Sequence, residues 1–361
     1  MAPRNKSWRS KIYQPGRAVY AAYEWAIMRL ILAWVVYGAF RLAGYDALHW
    51  WSSPGRGIHE LTKPLGIAQF TDVTWITDPA NLPGFCAAVA ISLAIFILGV
   101  APFLSSLAML VLHTFVGTLE NSQDGNVYHT SQILCYAWLG ICLGAAYDSI
   151  QALVKGGLAG WLEAQANRWR WLCHAAKRPR ALVTRGGDRL EQWMEQSRSR
   201  MIYTAQQVIA TAYVVAGVSK LWISKGAWIS QVGDGIVLQA VKNQRNEYFE
   251  SLDPSVVLPA SVEMIANHPM LAKLFFAGGL FLELCCFLAL FNRVFLALFG
   301  IGLIIMHWAI AELMHLYFDY YQWILLAFFV NIPFWVMLAW KRIQSKGAHV
   351  SSAGSPHPAR S

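Results

Sequence analysis

Eight stretches of this chain are apolar over nearly the length needed to cross a bilayer, and very few architectures accept that. In a hydrocarbon core about 30 Å thick every backbone N–H and C=O must be satisfied inside the protein, which leaves helices and closed barrels. Runs approaching or exceeding about 20 apolar residues are a helical signal. They fall at roughly 22–43, 83–101, 103–119, 130–147, 202–222, 270–291, 294–313 and 320–340. Composition points the same way: 56% of the 361 residues are hydrophobic and 14% charged, against roughly 25% charged in soluble domains. The expected fold is all-α, a polytopic transmembrane bundle of about eight spans. The second, third and fourth spans are short, and Pro102 allows only a tight connection between the second and third, so these two are expected as an antiparallel hairpin. The first run outlasts the roughly 7–15 residues of a signal-peptide core and reads as a retained helix.

An even number of spans puts both termini on one side, and basic residues identify it as the cytoplasm. The tail before the first span holds Arg4, Lys6, Arg9, Lys11 and Arg17. Ten more lie between 148 and 200, and Arg293, Lys341, Arg342, Lys346 and Arg360 bring that face to twenty, against five in the opposite loops. The layout expected is a basic cytoplasmic tail (1–19), a transmembrane domain (20–340) and a small, polar, disordered cytoplasmic tail (341–361). Within the domain lie a basic cytoplasmic segment (148–200) and an outer loop (223–268) long enough to fold over something. Residues 161–180 mix Trp161, Leu162, Trp169, Trp171 and Leu172 with basic residues, the composition of a helix lying in the headgroup region.

The net charge of +9 is thus a topology and anionic-lipid signal, and no nucleic-acid partner is expected. The six cysteines show no CxxC spacing, so free thiols are expected and neither a disulfide framework nor a metal site. The expected location is the cytoplasmic membrane of a bacterium.

Chemistry in such a chain concentrates at ionisable groups of membrane depth, which are costly and face a cavity or partner. These are Arg29, His113, His129, Lys220, Lys273, Glu283, His307, Glu312 and His315. Lys220 raises the sharpest question, because positions 216, 217, 223 and 224 are Ala, Gly, Ile and Ser and no acid lies within helical reach. A lysine snorkelling beside Trp222 and a lysine in a pocket are both open readings. His129 reads either as a helix cap or as a site residue, and His307 as a ring satisfied by a backbone carbonyl or as a functional one. Arg29 has its nearest acid, Glu24, five residues away on another helix face, and snorkelling to the cytoplasmic headgroups is its simplest explanation. By the topology, His129, Lys220 and His307 all lie towards the outer face.

Four segments in order extend the reading: EWAIMRLILAW, GNVYHTSQIL, AGVSKLWISKGAW and HWAIAELMHLYFDYYQWILLAFFVNIPFW. Together they resemble the HTTM family, the membrane domain shared with vitamin K-dependent gamma-glutamyl carboxylase, over about residues 20–340. The resemblance implies that Lys220 is the catalytic base, that His129 and His307 are catalytic and quinone-binding partners, and that Arg29 is the arginine of the first-span motif and a further cofactor-site residue. The implied cofactor is a reduced quinone of the vitamin K hydroquinone kind, with no metal. In the family a neutral lysine takes a proton from the quinol, a histidine hydrogen-bonds the oxyanion, oxygenation generates a strong base, and carbon dioxide traps the resulting carbanion. A lysine with a pKa of about 10.4 in water becomes a base only where burial disfavours its cation.

Two departures shape the expectation. The carboxylase's adjacent lysines are Ser219-Lys220 here, and its large luminal domain has no counterpart in the roughly twenty residues after the last span. The expected activity is therefore centred inside the membrane domain: a quinol-dependent, carboxylase-like or oxygenase-like enzyme whose partners are membrane lipid and quinone, with any protein substrate unknown. The alternatives are a non-catalytic membrane protein that binds a lipid, a quinone or a partner protein, and a small transporter.

Overall fold

The computed structural model describes residues 18–40, 61, 63–124, 132–177, 185–231, 235, 238, 242, 260–314 and 316–352. Among them there is no strand. The helices are α1 (Ala22–Ala39), α2 (Leu82–Leu98), α3 (Pro102–Asp124), α4 (Gln132–Lys177), α5 (Arg185–Ile223), α6 (Ala260–Asn267), α7 (Pro269–Leu284), α8 (Arg293–Met314), α9 (Asp319–Leu325) and α10 (Ile332–Ser352).

Among the described residues four segments are long and apolar enough to cross a membrane: Pro102–Ser122, Gln132–Ala166, Glu191–Ile223 and Arg293–Met314. There are five if Tyr320–Val330 and Ile332–Gln344, bent by about 40°, form one broken span. The protein is thus a helical bundle of membrane-protein character. The other three expected spans are shorter or more polar helices. α1 carries Glu24 and Arg29, α2 has 17 residues, and α7 has 16 before the chain tightens into a 3-10 stretch over Cys286–Phe291. An apolar run read from sequence ignores such breaks, because Cys285 and Cys286 are as apolar as their neighbours.

The hairpin expected at Pro102 is present, with α2 packed on α3. Gly99 ends α2 in the left-handed region (φ 74°), and its N–H and that of Val100 turn back onto the α2 carbonyls, the usual use of glycine after a helix. Between α1 and α2 the described chain makes two 3-10 turns, Gly66–Gln69 and Thr74–Thr77. Here the Thr74 hydroxyl (2.6 Å) and amide (2.8 Å) donate to Asp72 and hold its carboxyl below the usual range.

α4 and α5 form the longest pairing, and its closeness is written in the small residues of GICLG. A Cβ on Gly140 would lie 2.3 Å from the Ala205 Cα, and one on Gly144 2.7 Å from the Met201 Cα. This is the small-xxx-small device that lets membrane helices approach backbone to backbone. The Thr204 hydroxyl donates across the contact to the Gly140 carbonyl at 2.7 Å. Trp25, Phe96 and Trp138 form an edge-to-face ladder (5.8 and 4.7 Å) joining α1, α2 and α4. The interfacial helix expected at 161–180 is in part the far end of α4, set off by the non-helical Gly157 (φ 58°, ψ −157°); residues 178–184 lie outside the described residues.

One buried polar network ties the chain's two halves. Arg293 at the start of α8 donates to Glu24 of α1 at 2.7 Å and to the Val19 carbonyl at 2.7 Å, and Asn331 donates to the same Glu24 oxygen at 2.6 Å. The other Glu24 oxygen accepts from the Ala21 amide at 3.0 Å, at the N-cap of α1. The guanidinium is sandwiched by Tyr20 (4.3 Å) and Phe334 (4.0 Å). Asn331 stands in the left-handed region (φ 51°), which Asn tolerates better than most residues, and it is the point where the last span breaks.

Candidate functional site

Lys220 lies in the last turn of α5, and its partner comes from another helix. Gly217, one turn earlier, has no side chain to hold α7 away: a Cβ there would meet the Leu284 Cγ at 3.1 Å and the Glu283 Cβ at 3.2 Å. That approach brings the Lys220 ammonium onto Glu283 Oε1 as an ion pair, with side chains 32% and 6% exposed respectively. The charge that lacks a local acid is therefore compensated across 63 residues. Neither a snorkelling lysine nor a lone desolvated amine describes it.

The pair opens onto a cavity of about 400 Å³, whose other walls include Trp228, Phe276, Met306, Ile310 and Phe318. Such a volume lies in the range of small-molecule sites, about 300–1,000 Å³. Trp228, Gln231 and Gly235, which follow α5, also line it, and the Trp228 ring lies 5.7 Å from the amine; most of the expected loop 223–268 lies outside the described residues. Glu283 Oε2 is buried with no hydrogen-bond partner among the described residues. A buried carboxylate oxygen at the wall of an apolar cavity favours a ligand that brings a hydrogen-bond donor, since burying it without one is expensive.

His307 sits on α8, 14 residues and hence about 21 Å along the axis from Arg293. Its Nδ1 lies 2.7 Å from the Leu303 carbonyl. A carbonyl only accepts, so Nδ1 carries the hydrogen and Nε2 of the neutral ring is an acceptor. The ring stacks on Tyr321 (4.8 Å) and meets Phe318 (5.0 Å) and Tyr213 (5.8 Å) edge-on. His307 stands behind the cavity wall that Phe318 and its neighbour Met306 supply, within electrostatic range of Lys220. The hydroxyl of Tyr213 is buried there with no hydrogen-bond partner among the described residues.

His129 and His315 lie outside the described residues. Arg29 does not join Lys220. It lines a separate cleft with Met201 of α5, and Met201 is 19 residues, or about 29 Å of helix axis, from Lys220. His113 is buried on α3 with its ring 5.7 Å from Phe40, Lys273 is half-buried and Glu312 exposed. Among the described residues no group of three or more His, Cys, Asp or Glu could hold a metal ion.

Glu283 is the residue that residue-by-residue reading leaves without a role. The available signal is sign matching: Glu24 and Glu283 are acids inside apolar runs, and each is joined to a basic residue on a different helix. No family model matches the chain, and no curated protein or solved structure matches it.

Proposed function

We propose that this protein is an HTTM-like, quinol-dependent enzyme of the cytoplasmic membrane, carboxylase-like or oxygenase-like, with eight spans, both termini cytoplasmic and the cavity towards the outer face. The observation that carries the reading is the Lys220–Glu283 pair, with its unpartnered Oε2, set in the wall of an apolar cavity. That combination suits a lipid-soluble ring bearing hydroxyl groups better than a polar metabolite. A reduced quinone supplies, when bound, an ionisable hydroxyl and reducing equivalents. The base role requires the proton of the pair to rest on Glu283, which leaves the Lys220 amine free to accept the proton of a docked hydroxyl, while Oε2 can accept a hydrogen bond from the ligand. His307, with its Nδ1 hydrogen engaged by the Leu303 carbonyl, stands behind the wall of Phe318 and Met306; the catalytic and quinone-binding role that the resemblance gives it would require that wall to open. His129 joins the site by the resemblance; Arg29, which the resemblance also gives to it, lines a different cleft and has no part in the proposal.

The alternative is a non-catalytic membrane protein that holds a quinone or lipid in the same cavity. It is favoured by the compensation of the Lys220 charge and by the carbonyl that already satisfies His307 Nδ1.

One experiment separates the two readings. Lipid extracts of the purified protein are analysed by mass spectrometry for isoprenoid quinone, and oxygen uptake is followed after quinol addition. Wild type is expected to carry quinone and take up oxygen, and Ile310→Trp, which fills the cavity, to do neither. Lys220→Arg keeps the ion pair but cannot act as a base: quinone retained with uptake abolished supports the enzyme. Quinone retained with no uptake in wild type favours the binding protein, and no quinone in wild type together with no quinol binding ends both.

A further inference from the structure

The opposite end of the bundle holds a second site, a cleft faced by two arginines that make no direct ion pair. Four arginines gather there from α1, α5 and α8. Arg293 is paired with Glu24, and Arg200 with Asp148, whose other oxygen accepts from the Ser197 hydroxyl. Arg29 and Arg198 have no carboxylate at ion-pair distance among the described residues. Both face one cleft of about 340 Å³ between α1, the α2–α3 turn and α5. Arg198 spends its Nε on the Tyr20 carbonyl at 2.9 Å. Arg29 reaches the Phe96 carbonyl only at 3.3 Å through Nη1, and its Nε is buried with no partner. The fold makes room for this guanidinium, because a Cβ on Gly99 would lie 2.3 Å from Nη1.

Apart from these two side chains and Ser197 the cleft is lined mainly by apolar groups, among them Trp25, Leu98, Met194 and Met201, and Leu98 is 51% exposed on its rim. Glu195, Glu191 and Glu24 act on Arg198 from beyond ion-pair distance, while Arg29 keeps a buried, unpaired Nε. Two partly desolvated guanidiniums that share one cleft with no direct counter-ion favour an anion, and the planar fork of arginine matches phosphate oxygens. An apolar cleft with an exposed apolar rim is the complement of an acyl chain. We propose that this cleft binds an anionic phospholipid, its phosphate between Arg29 and Arg198 and its chain along Leu98 and Met194. The site is independent of whatever occupies the cavity at Lys220.

The test is native mass spectrometry of the full-length protein released from mixed phosphatidylglycerol and phosphatidylcholine micelles, with inorganic phosphate as a third arm. Wild type is expected to retain one phosphatidylglycerol with a preference of about tenfold over phosphatidylcholine. Both present the phosphodiester, but only phosphatidylcholine brings a trimethylammonium cation beside the two guanidiniums, and a like-charge repulsion of about 1.4 kcal/mol in this partly desolvated cleft is a factor of about ten. Millimolar phosphate should leave that lipid in place, and Arg29→Gln/Arg198→Gln should abolish the preference while Lys225→Gln keeps it. Equal retention of both lipids by wild type, an unchanged preference in the double variant, or displacement by phosphate alone overturns the proposal. Should the double variant fail to fold, a phosphatidylglycerol photoprobe on the unmutated protein decides: labelling of peptides containing Leu98 or Met194 is expected, and labelling confined to other peptides overturns it.

Discussion

At the scale of the residue, the decisive facts are pairings between charges that no local pattern links. Removing one member of a buried pair leaves the other uncompensated, at a cost of about 3–5 kcal/mol. Since Lys220 is one-third exposed, Lys220→Met is expected to cost about 3 kcal/mol, the low end of that range. The double variant Lys220→Met/Glu283→Leu should recover most of this, because an apolar pair of similar volume needs no counter-charge. Thermal unfolding of the four proteins of this cycle in one detergent checks it, and strictly additive single-variant losses would show that the pair does not exist. The presence of Lys220, His307 and Arg29 within apolar runs was legible in the sequence, and so was a backbone carbonyl for His307, since Leu303 is one helical turn back. The partners of Lys220 and Arg29 were not, because Glu283 and Phe96 come from other helices and are set by packing.

At the scale of the element, glycine decides which helices touch. α4 and α5 meet where Gly140 and Gly144 face Ala205 and Met201, and Gly217 brings α7 onto α5. Gly140→Ala puts a methyl group into the backbone of α5 and is expected to destabilise by about 1–3 kcal/mol, the usual cost of overpacking. Gly156→Ala, on the same helix but with open space around it, should be neutral or stabilising, since alanine favours the helix by up to about 1 kcal/mol. Unfolding temperatures of the two variants give the comparison, and equal effects would contradict the close crossing. The GICLG spacing is visible in the sequence, yet it does not say which helix fills the groove. Nor does composition foresee that the last apolar run breaks at Asn331, where the side chain is recruited by Glu24 of α1.

At the scale of the molecule, the proposed orientation makes a prediction of its own. With the native cysteines replaced, a cysteine at Ser251 should react with a membrane-impermeant thiol reagent added from outside, and one at Thr184 should not; the reverse pattern would invert the topology and move the Lys220 cavity to the cytoplasmic side. The sequence by itself determined the solvent of this protein and its secondary structure, because burial in hydrocarbon demands contiguous apolar residues with satisfied backbones and both properties are local. It also determined where the costly groups lie along the chain. Only the tertiary structure decided how those groups are compensated. Lys220 meets Glu283 across 63 residues and Glu24 meets Arg293 across 269, while Arg29 and Arg198 face one cleft with no carboxylate at ion-pair distance among the described residues. An ion pair is a matter of a few ångströms, and that separation is set by which helices small residues allow to approach, not by the spacing of charges along the chain.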